Sequence, residues 1–183
     1  MQKPEVRFLV IALAVASALA AFAGGEDKIR PMTGADSPSE VLGKIQSAVS
    51  TRDRELWADC LVDTFRFTPY AGVVASYPDL KWDEWGLARE LNFVNWLLSP
   101  ARKVDLDLLG NVVERGIQSR EKSEWEIVYT LTVDGTTARG RATLRFVEIR
   151  SLWYLASWTD TRRELFENVL APTSGEMRAA IER

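Results

Sequence analysis

The sequence predicts an α+β domain in which three N-terminal helices pack on one face of a curved antiparallel sheet. Apolar residues recur every three to four positions between residues 38 and 98, then every second position from 104 to 159. The last strands are separated only by tight turns, which leaves no room for the crossover helices a parallel sheet needs.

The chain opens MQKPEVRFLVIALAVASALAAFAGGEDK. Lys3 and Arg7 precede an apolar run over 8–20, and Ala18-Leu19-Ala20 and Ala21-Phe22-Ala23 offer small residues at a cleavage spacing. This predicts a signal peptide over 1–23 and a secreted or periplasmic product with no stable membrane insertion after cleavage. Residues 24–37 mix glycine, proline and charge without periodicity and read as a linker. The domain proper is expected over 38–160, with a C-terminal helical tail over 161–183.

Pro38 opens the first helix with Ser37 as its cap, and Val41, Leu42, Ile45, Ala48 and Val49 form its buried stripe. A second helix is expected over 54–64, with Leu56, Trp57, Cys60 and Leu61 inward. Phe65 to Thr68 alternates as a short strand ended by Pro69, and 70–81 is irregular. The third helix is expected over 82–98, stopped by Ser99-Pro100.

Val104, Leu106 and Leu108 begin the strands, the first of which is expected to reach Val113. Trp125, Ile127, Tyr129, Leu131 and Val133 share one face of the next. Asp134-Gly135 marks a hairpin, and Ala142, Leu144 and Phe146 continue the same face beyond it. Arg139, Arg141 and Arg145 line the opposite face, where cross-strand pairing with Glu124 and Glu126 accounts for both sets. Residues 152–159 close the meander. In SLWYLASWTD, strict alternation places Tyr154, Ala156 and Trp158 on one face and Trp153 and Leu155 on the other, both apolar. The tail is expected to be helical over 161–170, and weakly so over 175–183, where the end frays.

Composition excludes several functions. The 183 residues carry 23 basic and 26 acidic side chains, a formal charge of −3, so no basic field for nucleic acid exists. Cys60 is the only cysteine, which forbids an internal disulfide and reads as a small buried side chain. There is no histidine, which removes Ser-His-Asp and Cys-His chemistry and histidine metal ligation. No metal or cofactor is expected. Asp105 and Asp107 read as a hydrated strand face.

Three stretches carry a family resemblance: the first helix followed by STRDRELWADCLVDTFRF, the glycine-bearing strand TTARGRATLRFVEI, and the tryptophan strand ending at Asp160. In order and spacing the chain resembles the NTF2-like superfamily, which includes SnoaL-like and ketosteroid-isomerase-like proteins. The resemblance implies a cone whose sheet curls around a cavity, and in many relatives a homodimer formed through the outer sheet face. It also implies a histidine–aspartate pair in SnoaL-type cyclases, a buried aspartate with a tyrosine in ketosteroid isomerases, and a carboxylate–arginine–carboxylate set in epoxide-hydrolysing relatives. None of these sets transfers residue by residue to this chain.

The candidate catalytic residues are Asp63, Asp160 and Tyr70. Each has a plainer reading: Asp63 as a structural carboxylate, Asp160 as the cap of the tail helix, Tyr70 as an exposed loop tyrosine. Trp82, Trp85, Trp158, Tyr129 and Tyr154 are the candidate ligand-binding residues, since flat aromatic walls suit a small apolar ligand. The function expected is a secreted, non-catalytic domain that binds a small hydrophobic molecule or associates with itself. The alternative is a His-free isomerase, dehydratase or epoxide hydrolase using cavity carboxylates.

Overall fold

The computed structural model describes residues 33–108, 112–119 and 121–182. The expected signal peptide over 1–23 and most of the expected linker lie outside the described residues. Residues 33–37, the end of the expected linker, are held by the domain: Ala35 exchanges two backbone hydrogen bonds with Trp153, and Ser37 caps the first helix by accepting from the Glu40 amide.

Helix α1 (Pro38–Thr51) buries the five residues its periodicity marks, and Arg52 ends it in the left-handed region. Asp53 caps α2 (Arg54–Asp59). This second helix stops earlier than expected. Cys60 closes it and strand β1 (Leu61–Thr68) starts at once, because Leu61-Val62-Asp63-Thr64-Phe65 is rich in residues that favour a pleated, half-buried surface. Short α3 (Ala71–Ser76) follows. The third long helix is split: Trp82–Glu84 forms a 3₁₀ turn, Gly86 breaks the chain direction, and α4 runs Leu87–Leu97. A Cβ at Gly86 would meet only the Arg66 guanidinium closely, at 2.4 Å, the end of an exposed side chain that can swing aside.

Six strands make the sheet, in the order β1–β6–β5–β4–β2 with β3 also on β4. They are β2 (Val104–Asp107), β3 (Val112–Gln118), β4 (Lys122–Val133), β5 (Thr136–Ile149) and β6 (Leu152–Arg163), after β1. The expected strand over 104–113 is thus two strands, which share the edge of β4. The predicted meander β4–β5–β6 is present and antiparallel, with two-residue left-handed turns at Asp134-Gly135 and Arg150-Ser151. At the far edge β1 runs parallel to β6.

Two register shifts interrupt β5–β6, at Ala156 and at Thr161. The first overturns strict alternation in SLWYLASWTD. Leu155 stands opposite Phe146 and Trp158 opposite Leu144, so both join the inner face although they are three residues apart. Tyr154 pairs with Val147 in the other row, and its ring lies against Gly34.

The inner face packs against the helices: α1 meets β2 and β6, and α4 meets β1. The tail differs most from expectation. Residues 161–163 extend β6, and Leu165–Phe166 and Val169–Leu170 form a hairpin, β7 and β8, around left-handed Glu167 and Asn168. A helix over 161–170 loses to continued pairing, because Arg162 and Arg163 stand opposite Arg141 and Gly140 of β5. The final helix α5 (Ser174–Ile181) is firmly started by a capping box between Thr173 and Glu176. It does not fray into solvent; Ser174, Gly175, Met177, Arg178 and Ala179 are buried in the domain.

Candidate functional site

The interior of the cone holds two polar clusters in an aromatic setting. The first is an ion pair. Glu90 lies on the apolar stripe of α4 with Phe93, Val94 and Leu97, and Arg178 enters from α5. Only 1% of Glu90 and 2% of Arg178 is exposed. Arg178 Nη2 donates to Glu90 Oε1 at 2.6 Å and its Nε to Oε2 at 2.9 Å, a bidentate fork. Trp85 Nε1 donates to Oε2 at 3.0 Å. The guanidinium carbon sits 4.0 Å from the Phe67 ring centroid, 4.3 Å from Phe93 and 5.8 Å from Trp158.

Asp160 is the centre of the second cluster. Its Oδ1 accepts from Trp158 Nε1 at 2.8 Å. Its Oδ2 accepts from Ser174 Oγ at 3.1 Å and the Gly175 amide at 3.2 Å, both at the start of α5. Tyr129 donates its hydroxyl to the same carboxylate and accepts from the Ser174 amide at 2.7 Å. Desolvation raises the Asp160 pKa, against the lowering effect of the Arg178 charge and the hydrogen bonds. Burial and the Asp160 charge hold the Tyr129 hydroxyl well above its usual range, so it stays a donor.

Gly140 on β5 makes this geometry possible. A Cβ there would stand 2.6 Å from the Tyr129 hydroxyl. Gly140→Ala is therefore expected to push the ring off the sheet and cost about 1–3 kcal/mol, read as a lowered urea midpoint with unchanged slope.

Of the ligand-binding candidates, four gather here. Trp82 and Trp85 stack at 5.3 Å, and Phe67 meets them at 6.4 and 5.9 Å. Tyr129 and Trp158 meet edge to face at 5.1 Å. Tyr154 lies apart, beside Gly34. Asp63 points to solvent from β1, and Tyr70 is half-buried at the start of α3. Asp160 does not cap a helix at 161, which is strand, but it serves the N-terminus of α5 instead. Glu90 and Arg178 escaped the reading of the sequence. The signal was an acid on an apolar helical stripe, which demands a buried cation from elsewhere.

No protein-family model and no curated protein sequence matches the chain. Solved structures do. An NTF-2-like protein of unknown function from Shewanella oneidensis aligns with a TM-score of 0.50 and 13% identity over 67% of this chain and 93% of its own. An NTF2-like protein of unknown function from Pseudomonas putida also aligns at 0.50, with 9% identity over 73% of this chain and 89% of its own. The chain has the NTF2-like fold. Bdellovibrio bacteriovorus Bd1075 aligns at 0.52 with 10% identity over 70% of this chain, which spans only 40% of that protein. At these identities the likeness is one of fold and carries no activity. Within this fold the inner sheet face at Tyr129, Trp158 and Asp160 is covered by the chain's own α5.

Proposed function

We propose that this is an exported, non-catalytic NTF2-like domain that works by self-association through the outer face of its sheet. The observation that carries the reading is the occupied interior. Ser174, Gly175 and Arg178 of α5 take up Asp160 and Glu90, the buried carboxylates an enzyme or a small-molecule site would use. This speaks against a small apolar ligand in the cone.

The outer face offers more. A groove of about 410 Å³ is lined by Thr64, Arg66, Lys122, Arg145, Val147 and Ala156, among others. Exposed Ile149 continues the Val147 row along β5. Basic Arg66, Lys122 and Arg145 share this face with Glu124 and Glu126, which pair with Arg145 and Arg141. A two-fold contact between such faces sets base against acid and covers the apolar row. The protein from residue 24 onward is expected to elute with the mass of two chains in gel filtration with light scattering. Val147→Glu is expected to give one chain with unchanged circular dichroism. A wild-type monomer at every concentration tested would sink the reading.

Asp160 favours a second reading, a His-free acid–base enzyme, because it is a buried carboxylate of raised pKa beside a tyrosine hydroxyl. Both its oxygens already accept from α5 or Trp158, so no turnover of an enolisable ketone is expected from wild type or Asp160→Asn. Export is tested by the N-terminal sequence of the protein from its native host, expected to begin after Ala20 or Ala23.

A further inference from the structure

The grip on Arg178 is built almost wholly from parts that do not belong to α5. Phe67 comes from β1, Glu90 and Phe93 from α4, Trp158 from β6, and Trp85 fixes Glu90 from the turn before α4. Carboxylate fork and rings together suit a planar guanidinium better than a compact ammonium. We propose that these residues form a guanidinium-recognition site, filled here in cis by Arg178, for which an arginine presented by another polypeptide competes when α5 lifts away.

The connection of α5 to the rest of the fold permits such an exchange. The helix has eight residues, too few to persist alone in water, so it folds as it docks. The helix itself has no strand pairing with the sheet. The last backbone ties before it are on Arg139 of β5, whose carbonyl accepts from the Glu164 amide at 3.1 Å and whose amide donates to the Pro172 carbonyl at 2.8 Å. The chain can therefore hinge only after Pro172. Its two outer ion pairs, Arg163–Glu176 and Arg89–Glu182, are partly exposed and contribute little. What seats α5 is Arg178 in its cage, Asp160 and Tyr129 at the helix start, and the burial of Met177 and Ala179. The proposal goes beyond self-association, which concerns the other face of the sheet.

Two measurements test it. In the wild-type chain, native-state hydrogen exchange is expected to show amides of 174–181 opening roughly a hundredfold more often than those of β4 and β5. Exchange of α5 only through global unfolding would overturn the exchangeable seat. In the full chain carrying Arg178→Ala, methylguanidinium is expected to raise the thermal midpoint saturably, and about tenfold more effectively than methylammonium at equal ionic strength. The double variant Glu90→Gln with Arg178→Ala is expected not to respond. If Arg178→Ala alone does not fold, recovery of its near-ultraviolet tryptophan signal in methylguanidinium is the readout. Absence of rescue by either measure, or rescue that survives loss of Glu90, would refute a guanidinium site, whatever the mass of the protein in solution. A synthetic peptide of residues 173–183 is expected to bind the Arg178→Ala chain about tenfold tighter than the same peptide with alanine at 178. Equal binding of the two would refute recognition of a presented arginine.

Discussion

Glu90→Gln is expected to be among the most destabilising single substitutions in the domain, by about 3–5 kcal/mol. The glutamine is nearly isosteric, so packing against Phe93 and Trp85 survives. What remains is a guanidinium, 2% exposed, that has lost its forked carboxylate and keeps only the more distant Asp160 charge. Rings at 4.0 and 4.3 Å stabilise a cation, but by about 2 kcal/mol at most, less than the several it costs to keep a charge out of water unpaired. In a chain of this size the loss lowers the thermal midpoint by roughly 10 °C. Glu90→Leu with Arg178→Met is expected to recover part of the loss, since it removes both charges, while Trp85 Nε1 is left without its acceptor. Urea denaturation of the two single variants and the double completes the cycle. Independent, additive losses would show that the pair is not coupled, contrary to the 2.6 and 2.9 Å contacts.

Much of this fold is legible because its periodic segments are long. The five buried residues of α1, the β4 face from Trp125 to Val133 and the Asp134-Gly135 turn follow from spacing and turn chemistry alone. The misread boundaries fall where local propensity is balanced. Residues 60–64 suit either a helix end or a strand start, and pairing with β6 decides for strand. Residues 161–170 carry enough leucine, glutamate and arginine for a helix, yet β5 offers unpaired edge to Arg162 and Arg163.

The site was half visible. Trp82, Trp85, Tyr129, Trp158 and Asp160 could be marked by type, but what unites them could not. Arg178 is 88 residues from Glu90, and nothing local marks it as the cation that the α4 stripe requires. The bulge at Ala156 was hidden for a related reason. Only pairing with Arg145 and Phe146 reveals the extra residue, and it is this slip that brings Leu155 and Trp158 to the same face.

Asp160→Asn is expected to destabilise the domain by a margin that depends on pH in a defined sense. The carboxylate accepts four donors: Trp158 Nε1, Ser174 Oγ, the Gly175 amide and the Tyr129 hydroxyl. Asparagine keeps one acceptor and sets an NH₂ against donors on the other side. With hydrogen bonds to a charged group worth about 1.5–3 kcal/mol each, the loss at neutral pH should reach several kcal/mol. Asp160 has a folded pKa raised above the unfolded value by desolvation, despite the nearby Arg178 charge. Its titration therefore favours the folded state below the unfolded pKa, near 4, and that contribution is lost as pH rises through the folded pKa. Asparagine has no such term. The gap between wild type and variant should thus be widest in acid and narrow as pH rises. Asp134 is held low chiefly by the Lys103 amide; Glu164, despite its desolvation, is held low by Arg141 and Arg162. Both push wild-type stability the opposite way, but they act equally in the two proteins and cancel in the difference. Paired urea titrations across the acid range measure that difference directly, and a gap that widens with pH would mean that the donors outweigh desolvation at Asp160.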